Sequence, residues 1–103
     1  MTRVVLNDVE VGYEFGLKAM MLYEGITDKP FGSEKSVTSS IVTHYACLLA
    51  ANERFMNFAE FVSMVHNSEH LERLNAALDE EMKAWNTLNQ ATADEQKKRT
   101  RKA

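Results

Sequence analysis

The stretch SVTSSIVTHYACLLAAN, from Ser36 to Asn52, carries no formal charge. Within it Val37, Ile41, Val42, Tyr45, Leu48 and Leu49 recur at helical spacing and form a wide apolar arc. Ser39, Ser40, Thr43, Ala46 and Ala50 line the other side, where residues this small let a second helix approach closely. A helix without charge on any face is a buried one, so the stretch predicts the central helix of the domain, over about Val37 to Arg54. It falls short of the roughly 20 apolar residues that a bilayer requires, and it carries too many hydroxyls.

Toward the N-terminus, Phe31-Gly32-Ser33-Glu34-Lys35-Ser36 reads as a loop. Before it, Phe15, Ala19, Leu22, Tyr23 and Ile26 share one face of a helix expected from about Glu14 to Ile26. Thr27-Asp28-Lys29-Pro30 is expected to end that helix, because proline disfavours helical geometry in the residue before it. The opposite side carries Leu17, Met20 and Met21, an apolar back that needs a partner inside or outside the chain. Earlier still, Val4-Val5-Leu6 and Val9-Glu10-Val11 flank Asn7-Asp8, two residues that tolerate positive φ. This predicts a β-hairpin over 3–13. A lone hairpin is marginal, so it must lie on the helices or pair with another chain.

Toward the C-terminus, Asn57-Phe58-Ala59-Glu60 has the spacing of a capping box. It opens a short third helix whose Phe58, Phe61, Val62 and Val65 are expected to face the core. Asn67-Ser68 breaks that helix, and a long fourth runs from about Glu69 to about Lys98. Its apolar positions are Leu71, Leu74, Leu78, Met82, Trp85 and Leu88. Leu71 to Met82 and Leu74 to Trp85 are each eleven apart, close to the natural helical pitch and not a heptad, which disfavours a left-handed coiled coil. The expected fold is mainly α, of the α+β class: a short N-terminal β-hairpin followed by four helices, the last one long.

Size and charge bound the function. At 103 residues and 45% apolar content, the chain has material for one modest core. Residues 1–93 are expected to form that single domain, with 94–103 a basic, frayed or disordered tail. The tail holds five bases (Lys97, Lys98, Arg99, Arg101, Lys102) and two acids, leaving the other 93 residues at −6 out of a total of −3. An acidic body is a poor binder of nucleic acid, whose affinity rests on many phosphate contacts. No aromatic residue interleaves the tail to stack bases. The tail has two further readings: cations favoured near a helix C-terminus, or a contact through Lys97, Lys98, Arg99 and Arg101 to an acidic surface. Arg3 to Leu6 runs straight into Asn7-Asp8, which does not resemble a signal peptide and leads us to expect a cytoplasmic protein.

Candidate chemistry is thin. Cys47 sits among apolar neighbours and reads as a buried thiol. His66 and His70 have the i, i+4 spacing of a metal pair, but Asn67-Ser68 between them reads as a helix boundary and no Glu adjoins His66. His44 lies in the uncharged run and reads as a hydrogen-bonded core or interface residue, with no acid nearby to orient it as a triad requires. Asp79-Glu80-Glu81 reads as a solvated face. The four glycines are scattered and make no phosphate loop. The expectation is no enzyme, no metal and no cofactor.

Phe15-Gly16-Leu17-Lys18-Ala19, then Tyr23-Glu24, then Thr27-Asp28-Lys29-Pro30-Phe31, resembles the first helix and loop of the tail assembly chaperones of long-tailed bacteriophages. Asp28 stands where Gly would be commoner in that family. Tyr45-Ala46-Cys47-Leu48-Leu49-Ala50-Ala51-Asn52-Glu53 and Phe58-Ala59-Glu60-Phe61-Val62 resemble the family's next two helices, so the likeness spans about residues 4–75. It implies a soluble, self-associating helical protein of the host cytoplasm, without cofactor, that coats the tape-measure protein and helps recruit tail tube subunits during virion morphogenesis. Partners on this reading are the tape-measure protein, the tail tube protein and further copies of the chain, with neither nucleic acid nor membrane. Recognition is expected through Leu17, Met20 and Met21 or through Leu78, Met82 and Trp85. The alternative is a small phage or bacterial regulatory or inhibitor protein that binds one partner through its helical surface.

Overall fold

A computed structural model describes the backbone of residues 1–101 and the side chains of residues 1–88. Two antiparallel strands, β1 (Thr2–Leu6) and β2 (Val9–Tyr13), lead into four helices: α1 (Leu17–Thr27), α2 (Val37–Ala51), α3 (Phe58–Val65) and α4 (Ser68–Arg101). The expected class and element order are the observed ones.

The hairpin closes through Asn7 and Asp8 at φ 50° and 64°, the backbone of a two-residue turn that matches strand twist. Leu6 pairs with Val9, Val4 with Val11 and Thr2 with Tyr13. Val4, Leu6 and Tyr13 turn inward to the core, while Arg3 and Glu10 stand outside in a 3.7 Å ion pair.

Ser36 caps α2 by accepting the Ser39 N–H at 3.1 Å, and Asn52 ends it in extended geometry. Its His44, Ala46, Cys47 and Leu48 are almost fully enclosed, as the uncharged run predicts. Helix α1 packs on the small-residue side, where Tyr23 meets Val42 and Ala46 and donates or accepts a 2.9 Å hydrogen bond with Ser39. Val37, assigned by spacing to the apolar arc, is 82% exposed: it lies in the first turn, beyond the reach of the core.

Helix α1 begins at Leu17, later than the expected Glu14, and α2 ends at Ala51, short of Arg54. Helix α1 stops at Asp28, which adopts left-handed geometry (φ 56°) and returns its N–H to Glu24 O at 2.8 Å. The stop therefore comes two residues before Pro30 and is made by a C-cap. On α3 the Asn57 side chain accepts the Glu60 N–H at 2.9 Å, as the capping box requires. The buried face is Phe61, Met64 and Val65; Phe58 and Val62 are exposed. Tyr45 holds the α3 end of the core, with Phe58 and Phe61 rings each 5.2 Å away and its hydroxyl on Met56 O.

Candidate interaction surface

The hairpin is held to the helices by side chains that replace missing backbone partners. Asn52, just past α2, accepts the Gly12 N–H at 3.1 Å and donates to Gly12 O at 2.8 Å. A side chain on Gly12 would sit 3.0 Å from Met1 Sδ and 3.1 Å from the Ala51 Cβ, so glycine lets α2 approach this closely. From α4, Glu81 accepts the Phe15 N–H and the Thr2 hydroxyl, both at 2.9 Å, and lies 3.7 Å from the Met1 amine. Glu81 is only 8% exposed, which corrects its assignment to a solvated acidic face. The carboxylate is buried because three donors converge on it, while Asp79 and Glu80 stay in water.

Deeper in, a hydrogen-bonded line runs through the core. Tyr13 hydroxyl lies 2.7 Å from His44 Nδ1, and His44 Nε2 lies 2.9 Å from Asn75 Oδ1. The amide oxygen can only accept, so Nε2 carries the proton and Nδ1 accepts from the tyrosine. Burial holds His44 below its ordinary pKa, partly offset by Asn75, and burial also raises Tyr13. Cys47, beside Tyr13, is fully buried, and burial pushes its thiol up to about 12. A protonated thiol shut away from water is no nucleophile, and these residues act as a polar core. His70 bonds Asn7 Oδ1 through Nε2 at 3.1 Å, while its buried Nδ1 has no partner among the described residues. His66 is exposed, and no group of three metal-ligating side chains occurs among the described residues.

The residues proposed from sequence for partner binding divide into two sets. Leu17 and Met21 are 67% and 65% exposed on the outer face of α1. Met20, Leu78, Met82 and Trp85 are partly buried against the chain's own core. The Trp85 ring stands edge-on to Phe15 at 5.8 Å. Leu17 and Trp85 are brought together on a groove of 350 Å³ between the start of α1 and α4, with Phe15, Gly16, Ala84 and Leu88. Met21 lies outside that groove, one turn along α1. A second groove of 510 Å³ runs between β1 and α4, beside Arg73, Ala76, Ala77 and Glu80. Sequence reasoning did not find it, since it exists only where two elements 70 residues apart meet. The Lys97, Lys98, Arg99 and Arg101 side chains lie outside the described residues. No helix among the described residues is long and apolar enough to cross a membrane.

No protein-family model, curated protein or solved structure matches this chain.

Proposed function

We propose that this chain is a tail assembly chaperone of a long-tailed bacteriophage, which coats the tape-measure protein and helps recruit tail tube subunits. The reading is supported by the resemblance over residues 4–75 together with the hairpin-and-helices order of the fold. The observation that carries it is the exposed pair Leu17 and Met21 on a helix whose other face is already buried. Apolar surface of this kind on a small domain marks a place where another chain sits. A long helical client offers amphipathic turns, and one of these would lay its apolar side between α1 and α4, against Leu17, Ala84 and Trp85. The work is masking, so it needs no cofactor and no bond chemistry.

The test is co-expression with the tape-measure protein of the same phage. Wild-type chain keeps that client soluble and co-purifies with it, whereas Leu17→Glu with Met21→Glu leaves the client insoluble. Met20 is left unchanged because it is partly buried against the core. A client that is insoluble with wild-type chain, or equally soluble with the double variant, overturns the reading.

A further inference from the structure

The two outer edges of the hairpin are treated differently. On β2, Asn52 takes both polar groups of Gly12, and just past the strand Glu14 donates its N–H to Cys47 O at 3.1 Å, so α2 closes this end of the edge and leaves only Glu10 outward. On β1 the register fixes which groups face outward. Leu6 and Val9 flank the two-residue turn as a hydrogen-bonded pair, and pairing alternates from there, so Arg3 and Val5 point their N–H and C=O groups away from β2. Val5 O accepts from Arg73 Nη1 at 3.0 Å. The outward N–H groups of Arg3 and Val5 have no partner among the described residues. An open strand edge is a template for another strand.

We propose that a second copy of this chain closes this edge: the two β1 strands pair antiparallel about a two-fold axis at Val4, and the two α4 helices pack antiparallel beneath them about the same axis. On the strands, this axis sets Arg3 opposite Val5 of the second copy. Both residues direct their backbone groups outward, so the two symmetry-related pairs make four hydrogen bonds and a continuous four-stranded sheet. On α4, Arg73, Ala76, Ala77 and Glu80 follow i, i+3, i+4, i+7 and share one face beside the β1 edge. Antiparallel pairing about the Ala76–Ala77 step sets Arg73 opposite Glu80 of the second copy, and Ala76 opposite its Ala77. The charges are therefore self-complementary in this register, and the alanines let the helices come near the short end of the usual ~8–10 Å spacing.

The two centres fall on one axis. Arg73 reaches Val5 and Glu81 reaches Thr2, so β1 and α4 run antiparallel, with Val4 level with the step between the two alanines. In the single chain Arg73 plugs the edge. In the pair, Val5 O takes the Arg3 N–H of the second copy and Arg73 turns to Glu80. Backbone bonds and the filled 510 Å³ groove hold the pair together; the charges choose the partner and its register. The pairing requires no client and is tested on the isolated chain, whereas the tail-assembly reading is tested by co-expression with the client, so the two fail in different experiments.

Sedimentation velocity over a concentration series should show wild-type chain passing from one to two copies. Arg73→Glu and Glu80→Arg each put like charges in register, and each should weaken association by about tenfold or more. Mixing the two variants restores opposite charges in both positions and should recover the dimer as a heterodimer, an outcome that no foreign partner would produce. Val5→Pro deletes an N–H that no strand of this chain uses, so it should melt like wild type yet stay monomeric. A wild-type chain that is monomeric throughout, single variants that dimerise normally, a mixture that stays monomeric, or a dimeric Val5→Pro chain would each overturn the proposal.

Discussion

Replacing Glu81 with leucine keeps the side chain's bulk but removes the acceptor on which the Phe15 N–H and the Thr2 hydroxyl converge. The Phe15 amide lies in the interior, and leaving such a donor without a partner costs about 1–3 kcal/mol. Loss of the charge-assisted bond to Thr2 brings the total to about 2–4 kcal/mol, less whatever leucine regains by apolar burial. For a domain of this length that corresponds to a fall in Tm of about 10–25 °C. Glu81→Gln is the discriminating companion. Its amide oxygen can still accept the Phe15 N–H, and its NH2 can donate to the Thr2 oxygen, so the cost should be about 1 kcal/mol. Thermal melts followed at 222 nm give the order wild type, glutamine, leucine. Amide exchange at Phe15 gives the cause, since protection should fall sharply in the leucine variant and survive in the glutamine one. A leucine variant that melts with wild type, or equals the glutamine variant in both measurements, would refute the claim that this carboxylate ties the hairpin to α4.

Asn52→Ala strips both partners from Gly12 and should cost about 2–3 kcal/mol in urea unfolding, with the loss of protection concentrated in β2. Leu48→Asp places a lone charge at a fully enclosed position and should abolish cooperative unfolding altogether; a soluble variant with a sharp melt would show the core is elsewhere. Because His44 is held below its ordinary pKa, the unfolded chain takes up a proton first as pH falls below about 6.5, so stability should decline from there downward, and His44→Gln should flatten that slope relative to wild type. Cys47, with its thiol pushed up to about 12, should react with a disulfide reagent at neutral pH only at the rate of unfolding; rapid labelling of the native chain would contradict its burial.

What the sequence made legible was what local chemistry decides. Asn7-Asp8 between alternating valines announced the turn, because those two side chains tolerate the positive φ that both residues adopt. The absence of charge from Ser36 to Asn52 announced a buried helix. The apolar back of α1 was visible too, and two of its three residues stay exposed. The losses came where a distant element overrides local pattern. Glu81 sits in an acidic run that reads as solvent-facing, yet its donors lie 66 and 79 positions away, and no spacing rule connects them. Phe58 and Val62 carry apolar side chains at helical spacing, but the direction from which α2 and α4 approach α3 favours Met64 instead. Thr27-Asp28-Lys29-Pro30 marks the end of α1, but the cause is the left-handed cap at Asp28, which stops the helix before Pro30 can. The grooves beside Trp85 and beside β1 could not be read at all before α4 was placed against the hairpin.

The ties that fix the hairpin also set a timetable for the growing polypeptide. β1 and β2 leave the ribosome before the residues that hold them: Cys47, Asn52 and Glu81 follow only after a long stretch of further synthesis. Until Glu81 has emerged, the amino-terminal strands are two short ribbons with little to lie on, a state in which such a pair is barely stable. The hairpin is therefore translated ahead of its supports yet settles with the last of them, and completion of the fold waits on the middle of its longest helix.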